Sequence, residues 1–400
     1  MNTLAMMACL LISAAAEQPL CETGFVFDPG AERHGHVHAS CVIAAPNGDL
    51  RAVWYENGPA LPPPYFSEQR DKSADVRIGG SRKAAGAAAW EKPFVMADTF
   101  GVSDNNPCMV IDRDGRLWLF YGTLLAVPKV TWGSDLIQYR VSSDFAQAGP
   151  PKWELSNLLV VQPASLQIDP KAAAPSGDSE AAFAEKALEV HTKFVGKGPD
   201  NPFVSRLGWM PRAHALLKSD GAILLPLANE NSTLACMAFT KDGGQTWTYS
   251  QMVPGVGLEQ PTVVEYPDGA MSAFFRNGHP KNRILRSDSK DGGMTWGTVT
   301  LTDLPHPGSG IEAVLLQNGH LAMIYNDTEK DPRDRLAVSI SEDRGATWRW
   351  MRHLENVPGQ RFDYPSMIQT PDRFLHATYS YNLETIKYVR FNEAWVQQGD

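Results

Sequence analysis

Short apolar runs separated by turn residues recur along most of the chain. Around Pro267-Asp-Gly269 the pattern is Thr262-Val-Val-Glu-Tyr266 on one side and Ala270-Met-Ser-Ala-Phe-Phe275 on the other. Runs this short, divided by residues that tolerate positive φ, predict two antiparallel strands joined by a tight hairpin. Five further turns repeat the arrangement: Pro46-Asn-Gly-Asp49, Arg113-Asp-Gly115, Ser219-Asp-Gly221, Gln317-Asn-Gly319 and Pro371-Asp-Arg373. The last has arginine where glycine is expected. Six hairpins predict six sheets of similar build.

A second motif lies over the first. The pattern [S/T]-x-D-x-G-x-T-W occurs at residues 240–247, 289–296 and 341–348. The copies are spaced by about 50 residues, the length of one four-stranded propeller blade. In each copy the Asp and the first hydroxyl suit the backbone N–H groups of a tight turn, and the Gly suits a positive φ. The Trp suits packing between neighbouring sheets. The two repeats together predict an all-β chain, a six-bladed β-propeller with Asp-box repeats. Blades one and two carry decayed copies, from Ser81 to Trp90 and from Ser143 to Trp153. The strand at 385–391 is expected to close the ring against an N-terminal strand near Phe25-Val-Phe27. The interval between the second and third hairpins is twice the usual length. Its excess, about residues 154–206, predicts a short helical insertion between blades two and three, with one amphipathic helix over 179–194.

Composition changes the picture in three ways. A net charge of −9 leaves no basic stripe for phosphates, which argues against nucleic acid as partner. The apolar run over residues 4–16 ends in three alanines before Glu17 and predicts a cleaved secretory signal at 1–16. Residues 17–400 then form one exported domain, periplasmic or extracellular, with no segment long enough to span a membrane. Cys21, Cys41, Cys108 and Cys236 are widely spaced without C-x-x-C, which suits buried thiols, leaves one bridge open, and points to no metal site.

A propeller gathers its inner strands around a central funnel, so polar residues flanking each hairpin can converge on one ligand. His38, Asn106, Arg212, His214, Glu259, Gln260, Arg276, Glu312, Arg335 and Tyr364 stand at such places. The segments His38-Ala-Ser40, Asn106-Pro-Cys108, Trp209-Met-Pro-Arg212, Glu259-Gln-Pro261, Phe275-Arg-Asn277, Arg335-Leu-Ala-Val338 and Tyr364-Pro-Ser366 occur in that order. With the Asp boxes, this ordered set resembles the sialidase superfamily, in particular bacterial sialidase-like proteins, over residues 24–394.

The resemblance implies an exo-acting glycoside hydrolase that removes a terminal, acidic sugar from a glycan and needs no cofactor. It implies Tyr364 as nucleophile and Glu259 as its activating base. The acid falls in the charged loop after the second strand of blade one: Asp71, with Asp75 as the alternative. Arg276 and Arg335 match the second and third carboxylate-binding arginines, with Arg70 and Arg212 as further substrate-binding candidates. A Tyr nucleophile suits an anomeric carbon that bears a carboxylate, because a carboxylate nucleophile would be repelled. Where the family carries its first arginine this chain has His38, which opens the site to a different acidic or deoxy sugar. Two other functions fit the same residues. A uronate-directed polysaccharide lyase would use His38 and Tyr364 as base and acid; a glycan-binding propeller would use the funnel without catalysis.

Overall fold

The computed structural model describes residues 18–29, 35–66, 70–126, 131–167, 189, 202–277 and 282–400. Six antiparallel sheets follow one another around the ring, as the hairpin spacing predicts. Blade four shows the plan: Leu258–Glu265, Met271–Asn277, Arg283–Ser289 and Thr300–Pro305 pair in sequence order from the centre outward. Blade one (Val37–Ala44, Leu50–Asn57, Val76–Lys83, Phe94–Ala97) and blade five (Glu312–Leu315, Leu321–Asn326, Arg335–Ser341, Trp350–Asn356) are built the same way. At the inner hairpins Gly269 has φ 79°; in the sixth turn Arg373 itself takes φ 67°, so the turn type survives the missing glycine at a steric cost.

Blade six joins the chain ends. Cys21–Phe25 forms the outer strand beside Thr385–Phe391, with Cys21 opposite Phe391 and Phe25 opposite Lys387. The closing strand thus lies a few residues before the expected 25–27, and Val26 N–H extends it by one bond to Ile386 O at 2.8 Å. The apolar core is divided among blade interfaces. Trp118 and Phe120 of blade two, both fully buried, share one cluster with Leu225 and Leu227 of blade three. The secretory signal at 1–16 and the helix at 179–194 fall outside the described residues, residue 189 excepted, which is helical. Among the described residues no helix is long and apolar enough to cross a membrane, and Cys21, Cys41, Cys108 and Cys236 are free thiols.

Blade three departs from the plan. Its inner position is split between Trp209–Met210 and Leu216–Leu217, both paired with Ile223–Asn229. Between them Ala213–His214 crosses over and pairs in parallel with Ser103–Ile111 of blade two. The break falls after Pro211, which lacks an N–H for the ladder, at Ala213 with φ 56°. It swings Arg212 and His214 onto the axis.

The Asp boxes close the outer turns as their residue types require. In the third copy Asp343 accepts from the Thr347 N–H at 2.8 Å and from its hydroxyl at 2.6 Å. Those two bonds hold the Asp343 carboxyl down at about 2. Ser341, fully buried, donates to Asp343 at 2.7 Å and accepts the Gly345 N–H at 2.7 Å. Ser341→Ala strands that buried N–H and is expected to destabilise the fold by about 1–3 kcal/mol in urea titrations. Ser341→Thr, the residue that opens the copy at Thr240, should restore most of the loss.

Candidate active site

Four inner strands share one defect that aims side chains at the axis. Register shifts lie between His38 and Cys41, Asn105 and Cys108, Glu259 and Thr262, and Asp363 and Ser366. Within each gap one non-glycine residue is left-handed: Ala39 (φ 54°), Asn106 (45°), Gln260 (47°) and Tyr364 (50°). Such a bulge bends its strand and re-aims one side chain. Each residue costs roughly 1–3 kcal/mol of backbone strain, which the surrounding ladders hold in place.

Tyr364 is the centre of the result. Arg276 Nη1–H donates to its phenol oxygen at 2.6 Å, and Gln260 Nε2–H at 3.3 Å. Arg276 also donates to Gln260 Oε1 at 3.2 Å, and its Nε ion-pairs with Glu259 at 3.0 Å. Burial works against the Arg276 charge, but the phenol and the carboxylates of Glu259 and Glu230 outweigh it and hold the guanidinium charged. Glu259 therefore reaches the phenol only through Arg276. The expected direct base contact is replaced by Gln260, because the bulge turns residue 260, not 259, toward the axis.

His38 meets the phenol ring edge-on, with centroids 4.3 Å apart, and its Nδ1 bonds Ser380 Oγ at 3.1 Å. Burial, then His36, Arg333, Arg361 and Arg212, push its imidazole well below the usual range. His38 is thus neutral at pH 7 and does not replace an arginine's charge. Arg212 is also in contact, 5.0 Å from the ring centroid, but from below. Only 1 % exposed, it donates to Ser40 O at 3.2 Å and Pro365 O at 2.8 Å, tying blade one to blade six. It is a pillar under the phenol rather than a ligand-facing cation.

The remaining candidates divide. Asp71 lies in the expected loop, its main-chain carbonyl held by Ser103 Oγ at 2.8 Å. Its carboxylate acts on His36 and on the buried Tyr55, whose rings both flank His38. Asp75 is buried and accepts from Asn57 Nδ2 at 3.1 Å, a wall residue rather than a mobile acid. Arg70 is exposed beside this group and acts on His36. Arg335 is exposed at the start of its strand, so the expected third arginine is not at the phenol. Arg333 lies closer in: its Nη1 binds Asp363, the residue before Tyr364, at 2.6 Å, Arg361 binds the other Asp363 oxygen, and both charges act on His38. Tyr55, Arg333 and Asp363 escape sequence reasoning. Only the position of Asp363 beside Tyr364 signals that its partner matters.

A six-bladed ring of Asp-box sheets that gathers a phenol, guanidiniums and carboxylates at one mouth defines a sialidase-like propeller. The chain belongs to the BNR repeat-like domain family, whose model matches residues 61–167 and 195–377, and through it to the sialidase-like superfamily. It is similar to an anhydrosialidase from Macrobdella decora, 25% identical over 171 residues, covering 38% of this chain and 22% of that protein. A sialidase from Micromonospora viridifaciens is 26% identical over 174 residues, covering 40% and 26%. The chain thus spans about a quarter of the length of these relatives. Among solved structures, the NanB sialidase from Streptococcus pneumoniae superimposes with a TM-score of 0.65 over 94% of this chain and 71% of that one. At 12% identity that likeness speaks for the fold.

Proposed function

We propose that this protein is a sialidase-like glycoside hydrolase that removes a terminal sugar from a glycan, with Tyr364 as nucleophile. The observation that carries this reading is the Arg276–Tyr364 hydrogen bond of 2.6 Å. Two N–H donors on one phenol oxygen stabilise the charge it develops in attack, so the cationic side of the funnel serves the nucleophile. Glu259 fixes Arg276 in that role. In the first step the Tyr364 oxygen, attacking as the oxyanion, bonds to the anomeric carbon, the bond to the aglycone oxygen breaks, and Asp71 gives that oxygen its proton. In the second step Asp71 takes a proton from water as the water oxygen displaces the phenol. Two displacements retain the anomeric configuration.

The test is a panel of fluorogenic glycosides, sialosides and uronides among them, with the product's first-formed anomer read by proton NMR. Retention is expected; inversion, or no turnover of any member, overturns the reading. One observation favours a second reading, the neutral His38 ring packed against the phenol. It suits β-elimination from a uronate, whose unsaturated product absorbs in the ultraviolet where a hydrolysis product does not.

A further inference from the structure

Glu230 follows the strand Ile223–Asn229 of blade three, at the same end of its blade as Arg276 is in blade four. Its main chain is firmly placed. Its N–H donates to Gly208 O at 2.7 Å, and the preceding Asn229 anchors the turn through Leu207 O at 2.9 Å and the N–H groups of Asn231 and Ser232, both at 3.0 Å. Its carboxyl, by contrast, makes no hydrogen bond or ion pair with any described residue. The side chain is part-buried rather than sealed off, and a rigid turn that presents a carboxyl to a funnel leaves its hydrogen bonds for a ligand.

The charged groups around it belong to the site already described. Glu259 and Arg276 face it from blade four, Lys72 from the loop that carries Asp71, and Asp135 from blade two. We propose that Glu230 contacts the bound sugar, its carboxyl hydrogen-bonding a ring hydroxyl and helping to select which sugar the funnel accepts. This rests on the glycosidase reading and adds a contact to it from a third blade. Burial and then the Glu259 carboxylate push the Glu230 carboxyl up to about 7, against the pull of Arg276 and Lys72. Below neutrality it can therefore both donate to and accept from a hydroxyl. Above neutrality it becomes a second anion beside Arg276 and repels an anionic sugar.

The test compares Glu230→Ala and the isosteric Glu230→Gln with the native protein, on whichever fluorogenic glycoside of the panel it turns over, from pH 5 to 9. At pH 6, Glu230→Ala should raise KM roughly tenfold with kcat changed less than about threefold, the size of one lost hydrogen bond to a sugar. The native KM for an anionic glycoside should climb above pH 7, and Glu230→Gln should flatten that climb. Glu230→Gln keeps the shape of the side chain and decides the matter if the alanine variant fails to fold. Native turnover with KM and its pH profile unaltered in the variants overturns this inference and leaves the glycosidase reading standing. No turnover by the native protein overturns the glycosidase reading instead. Saturation-transfer NMR with the same sugars then settles the contact: signal lost in Glu230→Ala supports it, and equal signal or none in either protein overturns it.

Discussion

Tyr364→Phe will lower kcat by on the order of 10³-fold or more while leaving sugar binding within about threefold. The substitution removes one oxygen and nothing else that the site leans on. The ring keeps its edge contact with His38 at 4.3 Å and its place above Arg212 at 5.0 Å, so the bulge has no reason to relax. Arg276 loses an acceptor but keeps Gln260 at 3.2 Å and Glu259 at 3.0 Å. The loss should therefore fall on the covalent step. Steady-state rates combined with calorimetric binding of the same glycoside separate the two effects. A variant that turns over at the native rate would show that the phenol never forms the glycosyl bond.

Much of the fold was legible because each blade repeats the same local chemistry. All six inner turns appear where Asn-Gly, Asp-Gly or Asp-Arg marks them, with positive φ at Gly48, Gly115, Gly221, Gly269, Gly319 and Arg373. The site was legible only to within a residue or two, and the reasons are physical. In a strand, neighbouring residues point to opposite faces, and a bulge of one residue exchanges their roles. That exchange puts Gln260 on the phenol and leaves Glu259 behind Arg276. Residues two apart share a face, so alternation cannot tell Arg333 from Arg335; the choice is made by Asp363, thirty positions away from Arg333. Arg212 lies deeper than its place in the sequence suggests for a third reason. Nothing local announces that the blade-three strand breaks at Ala213 and carries the flanking side chains under the funnel instead of around it. Glu230 sits in a turn just past its strand, where a carboxyl ordinarily belongs to solvent.

The break that buries Arg212 also sets up the largest expected stability effect, at His214 and Glu312. Glu312, 2 % exposed at the start of blade five, accepts from His214 Nδ1 at 2.5 Å and from the Met367 N–H of blade six at 2.6 Å. His214 Nε2 in turn donates to Val42 O of blade one at 2.7 Å. Two side chains thus pin four blades together across the axis. Burial disfavours the imidazolium, but Cys41 and Glu312 outweigh it and hold His214 well above its usual range. Glu312→Ala removes the ion partner and strands a buried N–H, and should cost about 3–5 kcal/mol in urea unfolding. Glu312→Gln accepts the Met367 N–H with its one carbonyl oxygen and donates to Nδ1 of a neutral His214, so it loses the ion pair but strands no buried N–H, and should cost less than half as much. The pH dependence follows from the direction of the His214 shift. A histidine raised on folding contributes fully below its unfolded value of about 6.5 and loses that contribution as pH climbs through the folded value. The deficit of Glu312→Ala should therefore be largest near pH 6 and shrink in alkali. A deficit that is flat with pH, or smaller than that of Glu312→Gln, would mean the axial pair does not bear on the closing of the ring.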